Sequence, residues 1–543
     1  MDKIVDKLRQ LVWVDVRHHW HDYPKAEKLL NALTIQDGQD RCIPVNEKGY
    51  IVFPKGRQIK WLVQKITIPH TLEGYPLSGL SLRLVLTWWA EDAKIFINGN
   101  LVQQGDLFDS SARVLITDYA QPGDEYIVAI RLVSPNHDIG ALMRSHCIYE
   151  RVNSIDPGLV ADELTVLLKY ISKFESEHLN ILATELNKIN WDIVSNANEF
   201  DRDLANLRDR LLPLAKNIKQ RCFNLLGHAH LDMAWLWTTE ETYEVAERTF
   251  NSVLSLQQDF PDLIFGHTSP ALYQWIEQHR SDLFVAIQNA FKLGKWELLG
   301  GMWIEPEVNL VSGESLIRQL FYGQEYFQDK FGDITRVAWL PDSFGFTWQL
   351  PQILKQCGIE YFVTGKLHWN DTTKFALGCF WWESPDGTKL LTVMSPPNVT
   401  GVMDTNPLTM TNYAIDWETQ TGLQNIFWLP GVGDHGGGPT RDMLEVASKW
   451  HNSPFFPEIK FTTAIDYLEK IESDVEKFHK TSLELPVWQD ELYLELHRGC
   501  YTTHADQKRF NRYCEGLLYQ AELFATLASL IDKDLIILRP LLP

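Results

Sequence analysis

The pattern of apolar and polar positions changes character three times along the chain. Up to about residue 150 it falls into short β-rich runs broken by turn residues: "WLVQKITI" from Trp61, "LRLVLTWW" from Leu82, "KIFINGNLVQQG" from Lys94 and "EYIVAIRLV" from Glu125. Asn98-Gly99 inside the third run signals a tight hairpin. These runs predict an N-terminal β-sandwich over residues 1–155. From Asp162, "DELTVLLKYISKFESEHLNILATELNKI" repeats apolar residues at spacings of three and four, so residues 156–215 are expected to form a helical linker. From about Arg221, short apolar runs alternate with helical segments, the mark of repeated βα units around a parallel sheet or barrel over residues 216–485. The runs are "FNLLGHAH" at Phe223, "KWELLGG" at Lys295, "TRVAWLPD" at Thr335, "YFVTGK" at Tyr361, "KLLTVM" at Lys389 and "NIFWLPGVGD" at Asn425. Residues 486–543 turn helical again, as in "RFNRYCEGLLYQAELFATLASLI" from Arg509. The fold class is therefore α/β.

Composition narrows the function classes. At 543 residues the chain has room for about three or four domains. With 45% hydrophobic and 22% charged residues, and no run of about 18 uncharged apolar residues, membrane spans are not predicted. The start, "MDKIVDKLRQLVWVDVRHHW", lacks the apolar core of a signal peptide. Seven scattered cysteines without a C-x-x-C pair indicate neither a disulfide framework nor a zinc ribbon, and point to a reducing cytoplasm. A formal charge of −21 disfavours nucleic acid as a partner. Aromatic residues at 12%, with 20 tryptophans, fit a large core and also stacking on sugar rings.

In barrels of this kind function gathers at the carboxyl ends of the strands. There the sequence offers His228, His230 and Asp232, then Asp342 and Asp434. On extended backbone, residues two apart face the same way, so His228, His230 and Asp232 would project to one side as imidazole and carboxylate ligands for Zn²⁺ or a similar ion. Histidines satisfied by backbone groups are the alternative. Asp342, in "WLPDSFGFTWQLPQIL", is a candidate nucleophile or a helix N-cap. "LPGVGDHGGGPTRDML" places Asp434 in a glycine-rich loop that lacks the Lys-Ser/Thr ending of a phosphate-binding loop, which favours acid/base work. Two further clusters, Glu305 with Glu307 and His497 with His504, stand open between pocket and structural roles.

These segments resemble the glycoside hydrolase family 38 α-mannosidases, especially the cytosolic and bacterial branch. The resemblance runs from about Arg221 to Leu530 through "GHAHLDMAWLW", "GGMWIEPEVNLVSGESLIRQLFYGQ", "WLPDSFGFTWQLPQIL", "VTGKLHWND", "GDHGGGPTRDML" and "LELHRGCYTTHA". It implies a seven-stranded parallel barrel-like catalytic domain and a zinc ion on His230, Asp232, Asp342 and His497. It implies Asp342 as nucleophile, Asp434 as general acid/base, and Trp235, His228, Glu305, Glu307, Asn370 and Asp371 as substrate-side or pocket residues. The implied reaction is hydrolysis of terminal α-mannosides of oligosaccharides with retention, for which two carboxyl groups stand about 5 to 5.5 Å apart.

Members of the family commonly run to nearly twice this length, with further β-domains. The expected partners are therefore a mannose-containing oligosaccharide, a second copy, or a complementing chain that supplies those domains; alone, this chain is expected to bind zinc and turn over weakly. Two other readings are a metal-dependent polysaccharide deacetylase and a non-catalytic or split-subunit carbohydrate-binding protein.

Overall fold

The computed structural model describes the chain except for residues 24–42, 108–109, 137, 153, 434–435, 480–483 and 532–543. The first 150 residues form two five-stranded antiparallel sheets. In one, β1 (Ser81–Trp89) pairs with β4 (Gly140–Glu150); in the other, β3 (Glu125–Val133) lies between Ile59–Thr67 and β2 (Asp92–Ile97). Strand alternation turns Leu82, Leu84, Leu86 and Trp88 inward from the first sheet and Ile95, Ile130 and Leu132 from the second, and all of them lie in one buried cluster. The Asn98-Gly99 hairpin forms as the sequence predicts: Ile97 faces Asn100, and both turn residues take positive φ, 49° and 83°.

The helical stretch is interrupted. Asp156 caps helix α1 (Pro157–Phe174) by accepting from Leu159 N at 2.8 Å, with Pro157 in the first turn. The polar run Glu175-Ser176-Glu177-His178 then breaks the apolar stripe, and a second helix covers Leu179–Leu186. Helix α2 (Ala197–Ala215) follows.

Beyond it the expected βα alternation is present. β5 (Cys222–Leu225) pairs in parallel with β11 (Asn425–Trp428) and β12 (Glu458–Phe461). The two-residue strand Gly227–His228 pairs with β6 (Phe265–His267), and β6 with β7 (Trp296–Leu298). β8 (Val337–Trp339), β9 (Tyr361–Thr364) and β10 (Lys389–Met394) form a third parallel set, which Gly300 N links to the second by donating to Val337 O at 2.9 Å. Helices that matter below are α3 (Thr239–Asp259), α4 (Gly313–Phe331), α5 (Ala464–His479) and α6 (Ala505–Ile531).

A buried acid ties this layer together. Glu297 on β7 accepts from Ala464 N and Ile465 N, at 2.5 and 2.9 Å, at the start of α5. Burial pushes its carboxyl up to about 7, against those two donors. The folded state thus holds this proton more tightly than the unfolded chain, so the associated stability is full below about pH 4.5 and is lost as pH rises through about 7. Between pH 5 and 8 the wild type should lose roughly 3 kcal/mol, or about 5 °C in Tm, relative to Glu297→Gln. Parallel melting curves of the two proteins across that range would refute the assignment.

Candidate metal centre and active site

Within each parallel set the strands run the same way, and polar residues that follow the carboxyl ends of the strands Gly227–His228 and β8 come together. The chain leaves the sheet at His228; Ala234 then takes a left-handed φ of 68°, and Thr238 with Glu241 closes a capping box that starts α3. This turn holds His230 and Asp232 together, with His230 Nε2 and Asp232 Oδ1 3.3 Å apart. Ligand atoms of His230, Asp232 and Asp342 all lie within 4.8 Å of one another. His228 does not join them, contrary to the expectation from strand alternation. The strand ends at this residue, and its buried ring turns inward to Gly266 O, 3.0 Å from Nδ1, beside Trp339 and His267. Burial, with His267 and His230 nearby, pushes it down to about 3, which leaves a neutral imidazole.

Asp342 does not cap a helix, because the next one begins at Leu350. Its loop is held instead by Glu305, whose Oε1 accepts from Asp342 N at 2.6 Å and from Ser343 N at 2.8 Å. The other Glu305 oxygen lies 3.6 Å from His230 Nδ1, so one carboxylate braces both the imidazole and the Asp342 peptide. Lys366, two residues beyond β9, reaches Asp342 Oδ1 with its ammonium. The lysine side chain is 3% exposed, and its nitrogen also lies over the rings of Phe344 and Trp369, 4.3 and 4.6 Å from their centroids. Its one signal in the sequence is a lysine two residues past an apolar strand.

Three carboxylates around one imidazole make the cluster strongly electronegative. Burial alone would lower His230, but the Asp232 hydrogen bond and the charges of Glu305, Asp232 and Asp342 push it up to about 10. Burial, with Asp342 and Asp232 adding to it, pushes Glu305 up to about 7 against the attraction of His230. The site thus attracts positive charge strongly.

A cavity of about 540 Å³ opens over the cluster, lined by His230, Asp232, Glu305, Glu307, Asp342 and Tyr501 among others. Its size suits a sugar ring or two. Glu307 is tied to its own loop, accepting from Asn309 N at 2.7 Å. Trp235 stands 57% exposed with its ring against Trp237, and is not among the cavity residues. Asn370 and Asp371 are also set apart from the lining and hold the segment that carries His497. Asn370 Oδ1 accepts from Glu495 N at 2.8 Å, and Asp371 takes both Arg498 nitrogens at 2.8 and 3.0 Å. His497 is not in the group of three: it is exposed, its backbone is left-handed, and its ring stacks on Phe344 with centroids 5.2 Å apart. Phe344 is two residues from Asp342, so His497 borders the cluster.

Asp434 and His435 lie outside the described residues. The glycines after them pack against protein. A Cβ on Gly436 would meet Val245 Cγ1 at 2.2 Å, and Gly437 N donates to Thr249 Oγ1 at 3.0 Å.

Residues 221–491 match the family described as Glycosyl hydrolases family 38 N-terminal domain, and residues 495–537 the Alpha mannosidase middle domain. The chain is 36% identical over 309 residues to Alpha-mannosidase 2C1 of Homo sapiens, covering 57% of this chain and 29% of that protein. It is 33% identical over 315 residues to Alpha-mannosidase of Saccharomyces cerevisiae, again 57% and 29%. The solved structure of an alpha-mannosidase from Enterococcus faecalis is similar with TM-score 0.43 and 20% identity, covering 50% of this chain and 31% of that one. The chain thus spans about three-tenths of the length of the curated relatives it matches. Among the described residues no helix is long and apolar enough to cross a membrane. On the strength of the two adjoining matches, the chain belongs to glycosyl hydrolase family 38.

Proposed function

We propose that this chain carries the active site of a zinc-dependent, retaining α-mannosidase. The observation that carries the reading is the gathering of His230, Asp232 and Asp342 at the carboxyl ends of parallel strands, under a sugar-sized cavity. One imidazole and two carboxylates are donors that suit zinc, and the charge that holds a proton on His230 is charge a divalent cation would neutralise. His230, Asp232 and Asp342 would hold the ion, with His497 as the fourth ligand. When bound, zinc would supply a Lewis-acid grip on sugar hydroxyls.

The chain's own residues would do the rest. Asp342 would attack the anomeric carbon and carry the mannosyl group. Glu305 fixes the Asp342 peptide, and the Lys366 ammonium stabilises negative charge on its carboxylate. Asp434 would protonate the leaving oxygen and then take a proton from the incoming water. Trp235, beside the metal segment, would offer an aromatic face to the sugar. The supporting frame would be a seven-stranded barrel over residues 216–485, behind a β-sandwich (1–155) and a helical linker (156–215), with the start of a helical bundle over 486–543. A cytoplasmic location belongs to the same proposal, as do mannose-containing oligosaccharides as substrates.

Incubation of the zinc-loaded chain with an aryl α-mannoside, followed by NMR of the first product, tests it. α-Mannose should appear first, and a chelator should stop its release. β-Mannose as the first product, or release of acetate from an acetylated glycan in place of mannose, would overturn the mechanism.

A further inference from the structure

The turn that carries Asp342 runs from the end of β8 to Phe346, which pairs with Leu492 through N–H···O contacts of 2.9 and 3.0 Å. In between it belongs to no helix or strand, so its backbone groups depend on side chains for partners. Glu305 takes the N–H groups of Asp342 and Ser343, in the first half of the turn. The carbonyls of the second half are taken by Asn309 and Tyr501. Asn309 Nδ2 donates to Gly345 O at 3.0 Å and to Tyr501 Oη at 2.8 Å, which occupies both of its amide hydrogens, and the Tyr501 hydroxyl donates its own to Phe344 O.

Each donor is itself held. Glu307 accepts from Asn309 N at 2.7 Å and from Leu310 N at 2.5 Å. Arg512 of α6 donates to Leu310 O at 2.7 Å, and Ser312 N and Ser315 Oγ, at the start of α4, donate to Glu515 of α6 at 2.9 and 2.7 Å. Tyr501 and α6 lie in the segment matched by the middle-domain family, residues 495–537, so the second matched segment reaches the Asp342 turn through this loop.

We propose that Asn309 and Tyr501 are positioning residues for Asp342, holding the second half of its turn as Glu305 holds the first; the proposal rests on the reading of Asp342 as nucleophile and zinc ligand. Asn309 is not among the cavity residues, so its effect reaches the reacting atoms only through the turn. Tyr501 lines the cavity, but its one hydrogen is engaged by Phe344 O. Phe344 is where the hold matters. Its ring lies 4.3 Å from the ammonium of Lys366, the charge partner of Asp342, and 5.2 Å from the ring of His497. Gly345 is buried, so a carbonyl left bare there drives the turn toward a new partner, and Asp342 and the seat of Lys366 shift with it. A displacement of about 1 Å at a reacting group lowers the rate about 100-fold without removing any contact to the substrate.

Hydrogen exchange by mass spectrometry over residues 340–347, together with kinetics on an aryl α-mannoside, tests the hold. Asn309→Leu, near in size but without N–H groups, should raise exchange of that segment about 10-fold or more while β9 keeps its wild-type rate. It should also lower kcat about 100-fold with KM within about twofold. Tyr501→Phe should act in the same direction, with about a 10-fold loss in kcat. The double variant should lose about as much as Asn309→Leu alone, because both residues act through one turn. Exchange reads the hold in a chain that does not turn over: a wild type that releases no mannose counts against the mannosidase reading, and the exchange comparison alone then decides whether Asn309 and Tyr501 hold the turn. Wild-type exchange across the turn in Asn309→Leu, a rise spread evenly over the whole protein, or a raised KM at unchanged kcat would overturn the proposal.

Discussion

Asp342→Asn should keep the fold and lose both metal and turnover. The peptide N–H of residue 342 still donates to Glu305 and so anchors the loop, while the buried Lys366 loses its charge partner, so the melting temperature should fall by a few degrees without loss of the fold. The lost charge acts twice. Asp342 is one of three residues whose ligand atoms lie within 4.8 Å of one another, so zinc affinity should fall by about 100-fold or more, beyond the effect of losing an outer support. An amide is also a poor nucleophile, so hydrolysis of an aryl α-mannoside in saturating zinc should fall on the order of 10³-fold or more. Measuring zinc by competition with a chromophoric chelator, and rate at saturating zinc, separates the two roles. Equal affinity and equal rate in wild type and variant would remove Asp342 from both.

His497→Ala is the second large effect, and it addresses the residue that the structure leaves at the edge of the cluster. The ring stacks on Phe344 and its segment is clamped by Asp371 on Arg498 and by Asn370 on Glu495 N. If binding the ion draws this imidazole onto it, the alanine variant should lose about 100-fold in zinc affinity while its metal-free melting temperature stays within about 2 °C of wild type. An unchanged zinc affinity would leave three ligands and make His497 a packing residue. Breaking the clamp with Arg498→Ala should act in the same direction, more weakly, because it loosens the segment without removing the nitrogen.

The sequence made the frame legible where local rules suffice. The Asn98-Gly99 hairpin, the four N-terminal runs and the named apolar runs beyond residue 220 all appear as strands, because alternation and turn chemistry act within a few residues. Three of the four residues assigned to the metal by resemblance are gathered for a similarly direct reason: each follows the carboxyl end of a parallel strand. What the sequence hid depends on where strands end and on contacts across long separations. His228 was expected beside His230, but the strand stops at it and its ring turns inward to Gly266. The bracing of Asp342 by Glu305, 37 residues away, and its pairing with Lys366, 24 residues away, arise only when neighbouring strands lie side by side. A lysine after a strand otherwise reads as a solvated cation. The polar break at Glu175–His178 was likewise hidden inside a long helical period.

The central claim is that His230, Asp232 and Asp342 share one divalent cation. The most direct measurement is an anomalous difference map at the zinc absorption edge from crystals of the zinc-loaded chain. A single strong peak within about 2.0 to 2.2 Å of a His230 nitrogen and of oxygens from Asp232 and Asp342 is the predicted result. No peak there, or a peak held by other residues while these three stay as they are, would contradict it.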